Sequence, residues 1–285
     1  MTAAAQQAFV IKCESEPLVA VLHPAAQPTA ERGVVIVVGG PQYRVGSHRQ
    51  FVLSARAFAL AGFPVLRIDL RGMGDSASPP RSFEDAAADI RCAVDAICAL
   101  SPGLKHVALY GLCDGASAAM LYGPTDPRIT HLLLANPWVR TDRSAAAIVL
   151  RYYYVRRLFQ RSFWAKLLGM KLNPVRAVGG LVDKIRSSVD LGAGAQANYV
   201  DRMLGSLVAF HGELLCLISG QDLTAQEFVT LVKTNKQWRR AMAQSSVTQM
   251  RFPAADHTFS ARSELDAMNL SCIRWLNRAT AERSE

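Results

Sequence analysis

Cys113 sits in Gly111-Leu112-Cys113-Asp114-Gly115, a thiol framed by small residues that can do nucleophilic chemistry. The apolar run Val107-Ala108-Leu109-Tyr110 before it is short enough for a buried strand, and Ala116-Ser117-Ala118-Ala119 after it opens a helix. A strand turning this sharply into a helix holds its nucleophile in strained backbone. Gly111 and Gly115 then stand where a Cβ would collide with neighbouring backbone. The turn lifts the thiol above the sheet edge and leaves the Asp114 N–H at a helix start, where it can meet a developing oxyanion. Taken alone, such a match is most often a buried structural thiol. An acid and a histidine at later strand ends are needed to make it more.

Both are present in the sequence. Leu214-Leu215-Cys216-Leu217-Ile218-Ser219 reads as a strand leading to Asp222, and the strand Ser246 to Phe252 leads to His257. His257 would deprotonate Cys113 or stabilise its thiolate, then protonate the leaving group; Asp222 would hold the imidazole tautomer and offset its charge. His23, His106 and His131 fall in or beside strands, His48 opens a helix and His211 precedes a strand, so only His257 follows the last strand. Asp142, after the sixth strand, is the alternative acid, and Asp256 reads as a turn residue. A thiolate forms a thioester that water or another acceptor must attack, which favours esters, lactones, thioesters and acyl transfer over unactivated amides.

The second oxyanion donor is expected from Gly39-Gly40-Pro41-Gln42-Tyr43-Arg44. Pro41 has no N–H. That leaves Gly40 or Gln42, with Gln42 favoured. Arg44, His48 and Arg49 read by default as solvated charges, with lining of the site mouth as the functional alternative.

These residues need a scaffold that delivers them to one rim. Ala8 to Cys13 and Leu18 to His23 read as two edge strands, and Gly33-Val34-Val35-Ile36-Val37-Val38 as a strand buried on both faces. His48 to Ala61 carries Phe51, Val52, Ala55, Phe58 and Ala59 at helical spacing, and Phe63 to Leu70 is the next buried strand. A glycine-rich turn, Arg71-Gly72-Met73-Gly74-Asp75-Ser76, precedes a long helix to Leu100 with Ser82 as its N-cap. Ile129 to Asn136 is a sixth strand and Ser260 to Arg278 a closing helix. Strands alternating with helices predict a mostly parallel, doubly wound sheet with ligands beyond the strands' carboxyl ends. The order nucleophile, acid, histidine is that of the α/β-hydrolase pattern. The expected architecture is therefore an eight-stranded α/β-hydrolase sheet with helices on both faces. A helical cap over residues 138–210 interrupts the core formed by 1–137 and 211–285, far exceeding the dozen or so residues a crossover needs.

The formal charge is +9 over 285 residues, and the segment 140–186, with eleven Lys or Arg against Asp142 and Asp183, carries the whole imbalance. A solvated cap surface, a site for an acidic substrate and peripheral contact with anionic lipid are all open readings of it. No nucleic-acid module and no dinucleotide fingerprint are present. The six cysteines show no C-x-x-C pair and no ligand rhythm with histidine, so reduced thiols are expected, with neither a metal nor another cofactor. No apolar run reaches the about 18 residues of a membrane span, and Met1 to Gln7 lacks the pattern of a signal peptide, which predicts a cytoplasmic protein.

Gly39 to Phe51, Arg71 to Ser76, Gly111 to Ala118 and Asn136-Pro137-Trp138-Val139 together resemble the exosortase A system-associated hydrolases of the type 1 group, bacterial α/β hydrolases encoded beside exosortase and exopolysaccharide genes. That resemblance runs from about residue 34 to the end. It implies the fold, a hydrolase activity and a setting in exopolysaccharide biosynthesis or protein sorting, without supplying a substrate. The dienelactone hydrolases share the cysteine-type elbow and little else here. Ester or thioester hydrolysis is the expected activity. Acyl transfer onto a polysaccharide or lipid-linked sugar, and a silent scaffold, are the alternatives. Oligomeric state is not legible.

Overall fold

The computed structural model describes residues 6–26, 31–40, 42–79, 81–139 and 193–281. Asp142 and the basic segment 140–186 lie outside the described residues, so the alternative acid and the charge of the expected cap are not addressed by it.

Eight strands form one sheet in the order β1-β2-β4-β3-β5-β6-β7-β8. They are β1 (Gln7–Cys13), β2 (Glu16–His23), β3 (Arg32–Val37), β4 (Val65–Ile68), β5 (His106–Leu112), β6 (Ile129–Ala135), β7 (Glu213–Ser219) and β8 (Val247–Phe252). Pairing is antiparallel for β1 with β2 and for β2 with β4, and parallel from β4 through β8. Only β1 is an edge at this end: β2 also pairs with β4, from Ala20 opposite Ile68 to His23 opposite Val65.

The helices are α1 (Gln50–Leu60), α2 (Ala87–Leu100), α3 (Asp114–Tyr122), α4 (Ala193–Ala209), α5 (Leu223–Thr234), α6 (Lys236–Ala241) and α7 (Arg262–Ala281). Side chains alternate across a strand, so each central strand feeds two cores. Val35 and Val37, Leu109, Leu132 and Leu134, and Cys216 face one layer with α2, α3, α5 and Trp238 of α6. Ile36, Tyr110, Leu133 and Leu217 face the other, against Phe51 and Phe58 of α1 and Met268 and Trp275 of α7. All six residues of β3 are buried, which is why its β-branched run belongs at the centre. This is the α/β-hydrolase fold. The carboxyl ends of β3 and β5 meet at the switch in strand order, where ligand sites form in such sheets.

Two local expectations change. Ser82 accepts from the Glu84 N–H and caps a short 3-10 turn, Phe83–Asp85, so the α-helix itself begins at Ala87. Cys13 and Cys92 are paired as a disulfide with Cα atoms 5.8 Å apart, where reduced thiols were expected. The end of β1 packs on α2, a contact that no spacing across 79 residues signals. Among the described residues no helix is long and apolar enough to cross a membrane, and no cluster of His, Cys, Asp or Glu could hold a metal ion.

Candidate active site

Cys113 lies between β5 and α3 with φ 60 and ψ −126, outside both strand and helix geometry. Close packing enforces the turn: a Cβ on Gly115 would lie 2.5 Å from the Val37 carbonyl oxygen and 2.8 Å from the Gly39 nitrogen. The Cys113 N–H donates to the Ala135 carbonyl at 3.0 Å, and its own carbonyl accepts from Ala116 at 3.0 Å and from Trp138 at 3.2 Å. The elbow is thus held from β3 on one side and from the end of β6 on the other.

Asp222 is the N-cap of α5, accepting from the N–H groups of Thr224 at 2.9 Å and Ala225 at 3.1 Å. Its Oδ2 also lies 2.7 Å from His257 Nδ1. A carboxylate fixed by two backbone amides offers the imidazole one orientation. The loop carrying His257 is joined to the end of β7, where Gly220 donates to Phe252 at 2.8 Å and Gln221 to Ala255 at 3.0 Å. Gly220 permits this approach, since a Cβ there would lie 2.7 Å from Pro253 Cα.

The bond to Asp222 first, and the neighbouring Cys113 second, raise the His257 imidazole to about 10 against the opposing effect of burial. Burial pushes the Cys216 thiol up to about 12 and raises those of Cys272 and Cys98. Burial, with Arg67 and Arg56, holds His23 down to about 4. Asp256 accepts from the N–H groups of Thr258 and Ser260 and so shapes the turn into α7.

Of the amides considered for an oxyanion, that of Gln42 is engaged. The Gln42 N–H donates to the Gly40 carbonyl at 2.8 Å. Asp114 Oδ1 accepts from Gly115 at 3.1 Å. Burial raises the Asp114 carboxyl, against the pull of hydrogen bonds from the N–H groups of Gly40, Asp114 itself and Gly115 and of nearby His257. The Asp114 carboxyl thus lies between the elbow helix, where Gly115 donates to it, and the β3–α1 loop, where Gly39 packs against its Oδ1.

Arg44 departs from its solvated default. Its side chain is 16% exposed, paired with buried Asp69 and, at 2.7 Å, with Asp75. The β3–α1 loop is thereby tied to the glycine-rich turn after β4. His48 and Arg49 take left-handed backbone, φ 53 and 62, directly before α1. This loop borders a cleft of about 670 Å³ lined by Gln42, Tyr43, Arg44, Ser47, Gly74 and Asp75. Sequence reasoning left Asn136 without a role, yet its amide reaches both Ser219 and the His257 carbonyl. Its place at a strand end, followed by proline, was the available signal.

The fold is shared with solved structures of low identity. An esterase of Pyrococcus furiosus, Pf2001, aligns with TM-score 0.64 at 14% identity over 96% of this chain and 92% of that one. Est1E from Butyrivibrio proteoclasticus aligns with TM-score 0.58 at 18% identity over 96% and 99%. A thermostable carboxyl esterase from Bacillus coagulans aligns with TM-score 0.64 at 16% identity over 96% and 99%. No curated protein matches the chain. The family described as serine aminopeptidase, S33 (Hydrolase_4), matches residues 29–178, a span that includes the elbow, where this chain carries Cys113 in place of the serine of the family's name. With more than half of its 285 residues matched, the chain belongs to the S33 hydrolase family.

Proposed function

We propose that the protein hydrolyses an ester or thioester with Cys113 as nucleophile, His257 as acid and base, and Asp222 as the orienting acid. One observation carries this reading: the His257 imidazole is held by the Asp222 carboxylate at 2.7 Å, with the elbow residue Cys113 near enough to raise it further. The sulfur attacks the acyl carbon, forming a C–S bond and an oxyanion, while the thiol proton rests on His257. Collapse breaks the bond to the leaving group, which takes that proton. Water then attacks the thioester, giving its proton to His257, and the acid departs as Cys113 recovers it.

The N–H groups of Asp114 and of Gly40 or Gln42 are the proposed oxyanion donors, available once the Asp114 carboxylate turns aside. Ester cleavage agrees with the esterase names of the P. furiosus and B. coagulans proteins that share the fold. The sequence resemblance extends the proposal to an acyl group handled in exopolysaccharide biosynthesis or exosortase-linked sorting.

Turnover of short-chain p-nitrophenyl esters and acyl thioesters, compared between wild type and Cys113→Ala, tests it. Turnover in wild type alone is the expected result. Activity persisting in the variant overturns the thiol assignment. Turnover only with an added hydroxyl acceptor marks acyl transfer, and none in wild type marks a silent scaffold.

A further inference from the structure

Asn136 is the residue after β6, fully buried, with φ 46. Left-handed backbone at a residue with a Cβ is uncommon, and Asn, Asp and Gly tolerate it best. The backbone N–H donates to the Leu217 carbonyl at 2.9 Å. Its side chain Oδ1 accepts from the Ser219 N–H at 2.8 Å, while Nδ2 donates to Ser219 Oγ at 2.9 Å and to the His257 carbonyl at 3.0 Å.

The amide orientation is fixed by chemistry. The Ser219 N–H can only donate and the His257 carbonyl can only accept, so oxygen must face the first and nitrogen the second.

Residues on either side complete the connection. The Ala135 carbonyl accepts from the Cys113 N–H, and the Trp138 N–H donates to the Cys113 carbonyl. Ser117, on the elbow helix, donates from Oγ to the Trp138 carbonyl at 2.7 Å. Three residues of one short segment, Ala135, Asn136 and Trp138, therefore touch the backbone of Cys113, the end of the strand leading to Asp222, and the backbone of His257.

We propose that Asn136 is a positioning residue, whose side-chain amide sets the His257 loop against β7 and, through its own strand end, against Cys113. The inference rests on the proposed role of these three side chains. Only asparagine meets all the demands. Glycine keeps the left-handed backbone and loses every side-chain tie. Aspartate keeps the backbone, the shape and acceptors for both Ser219 groups, but turns a carboxylate oxygen toward the His257 carbonyl, so acceptor faces acceptor. Asn136→Asp thus severs the histidine tie selectively.

The test uses the full chain. For wild type, Asn136→Asp and Asn136→Gly, three quantities are measured: kcat and KM with a p-nitrophenyl ester, melting temperature, and alkylation of Cys113 by iodoacetamide across pH, followed on the Cys113 peptide by mass spectrometry. A misplacement of the imidazole by a fraction of an ångström predicts a kcat lower by about 10- to 100-fold with KM changed less than about twofold. It also predicts an alkylation midpoint moved to higher pH. A purely structural residue would lower the melting temperature alone. A folded Asn136→Asp with wild-type kcat and alkylation profile overturns the proposal. If both variants fail to fold, Ser219→Ala removes one bond from the same amide and must move the alkylation midpoint in the same direction by less; an unmoved midpoint there also overturns it. Alkylation requires no hydrolysis. A wild type without esterase turnover would therefore remove the proposed function while the profiles still decide on Asn136.

Discussion

Nδ1 of His257 stands 2.7 Å from Oδ2 of Asp222, and that same carboxylate closes the first turn of α5 through Thr224 and Ala225. One side chain thus ends a helix and orients an imidazole. Its removal should be felt separately in stability and in rate. Asp222→Ala is expected to cost about 1–2 kcal/mol through the lost cap. It should also lower kcat by about 10²- to 10⁴-fold per folded molecule. Denaturant titration and single-substrate kinetics separate the two. A rate near wild type in a folded Asp222→Ala would remove Asp222 from the proposed triad.

The protonation of His257 makes stability depend on pH. The folded state holds this imidazole at about 10, above the ordinary value of 6.5. A raised value means the folded protein binds the proton more tightly than the unfolded chain. The contribution is complete below pH 6.5 and is lost as pH rises through about 10. Melting temperatures of wild type and His257→Ala, measured across that window, should converge toward its alkaline end. Parallel curves would contradict the raised value.

Asp114 is expected to restrain the proposed reaction. Its carboxyl accepts from Gly115 and is drawn down by the N–H groups of Gly40 and Asp114, donors that an oxyanion would need. Asp114→Ala leaves the backbone donors in place and removes their internal acceptor. One such donor is worth about 10²- to 10³-fold in kcat, so release of even part of that effect should raise kcat by up to about tenfold. Loss of an acid from the first turn of α3 should cost about 0.3–1 kcal/mol. A fall in kcat in a stable variant would show that the carboxylate contributes to turnover instead of opposing it.

Two glycines near the site should respond differently to the same methyl group. A Cβ on Gly115 meets the Val37 carbonyl oxygen at 2.5 Å, and neither backbone can yield without moving β3 or the elbow. Gly115→Ala should destabilise by about 3 kcal/mol or more. Gly40 has φ +64 and nothing within 4 Å of a built Cβ. Gly40→Ala meets only backbone strain, about 1 kcal/mol. Urea midpoints of the pair check this, and equal losses would refute the account.

The disulfide between Cys13 and Cys92 closes a loop of 79 residues in sequence. Loop-closure entropy puts its contribution at about 4 kcal/mol. A reductant, or Cys92→Ala, should lower the melting temperature without altering Cys113 alkylation. No change under reduction would show that the bridge adds nothing to the fold.

Much of the architecture was legible because it rests on short-range signals. The β-branched run of β3, buried at every position, could only be an interior strand, and Phe51, Val52, Ala55, Phe58 and Ala59 repeat at the spacing of one helical face. The elbow was legible for the same reason, since its strain and its glycines lie within five consecutive residues. His257 and Asp222 could be named as candidate partners because strand ends are periodic landmarks and their order after Cys113 follows the α/β-hydrolase pattern.

What only the tertiary structure decided are the partnerships across the sheet. Asn136 reaches a carbonyl 121 residues away, Arg44 an acid 25 residues away, and Cys13 a thiol 79 residues away. Asp114 likewise brings its carboxyl against Gly39 of another loop, where the Gly40 amide acts on it. Local propensity and burial period act over a few residues and are written directly in the chain. A hydrogen bond between distant side chains depends on strand order, register and loop approach, which arise when the whole sheet is assembled.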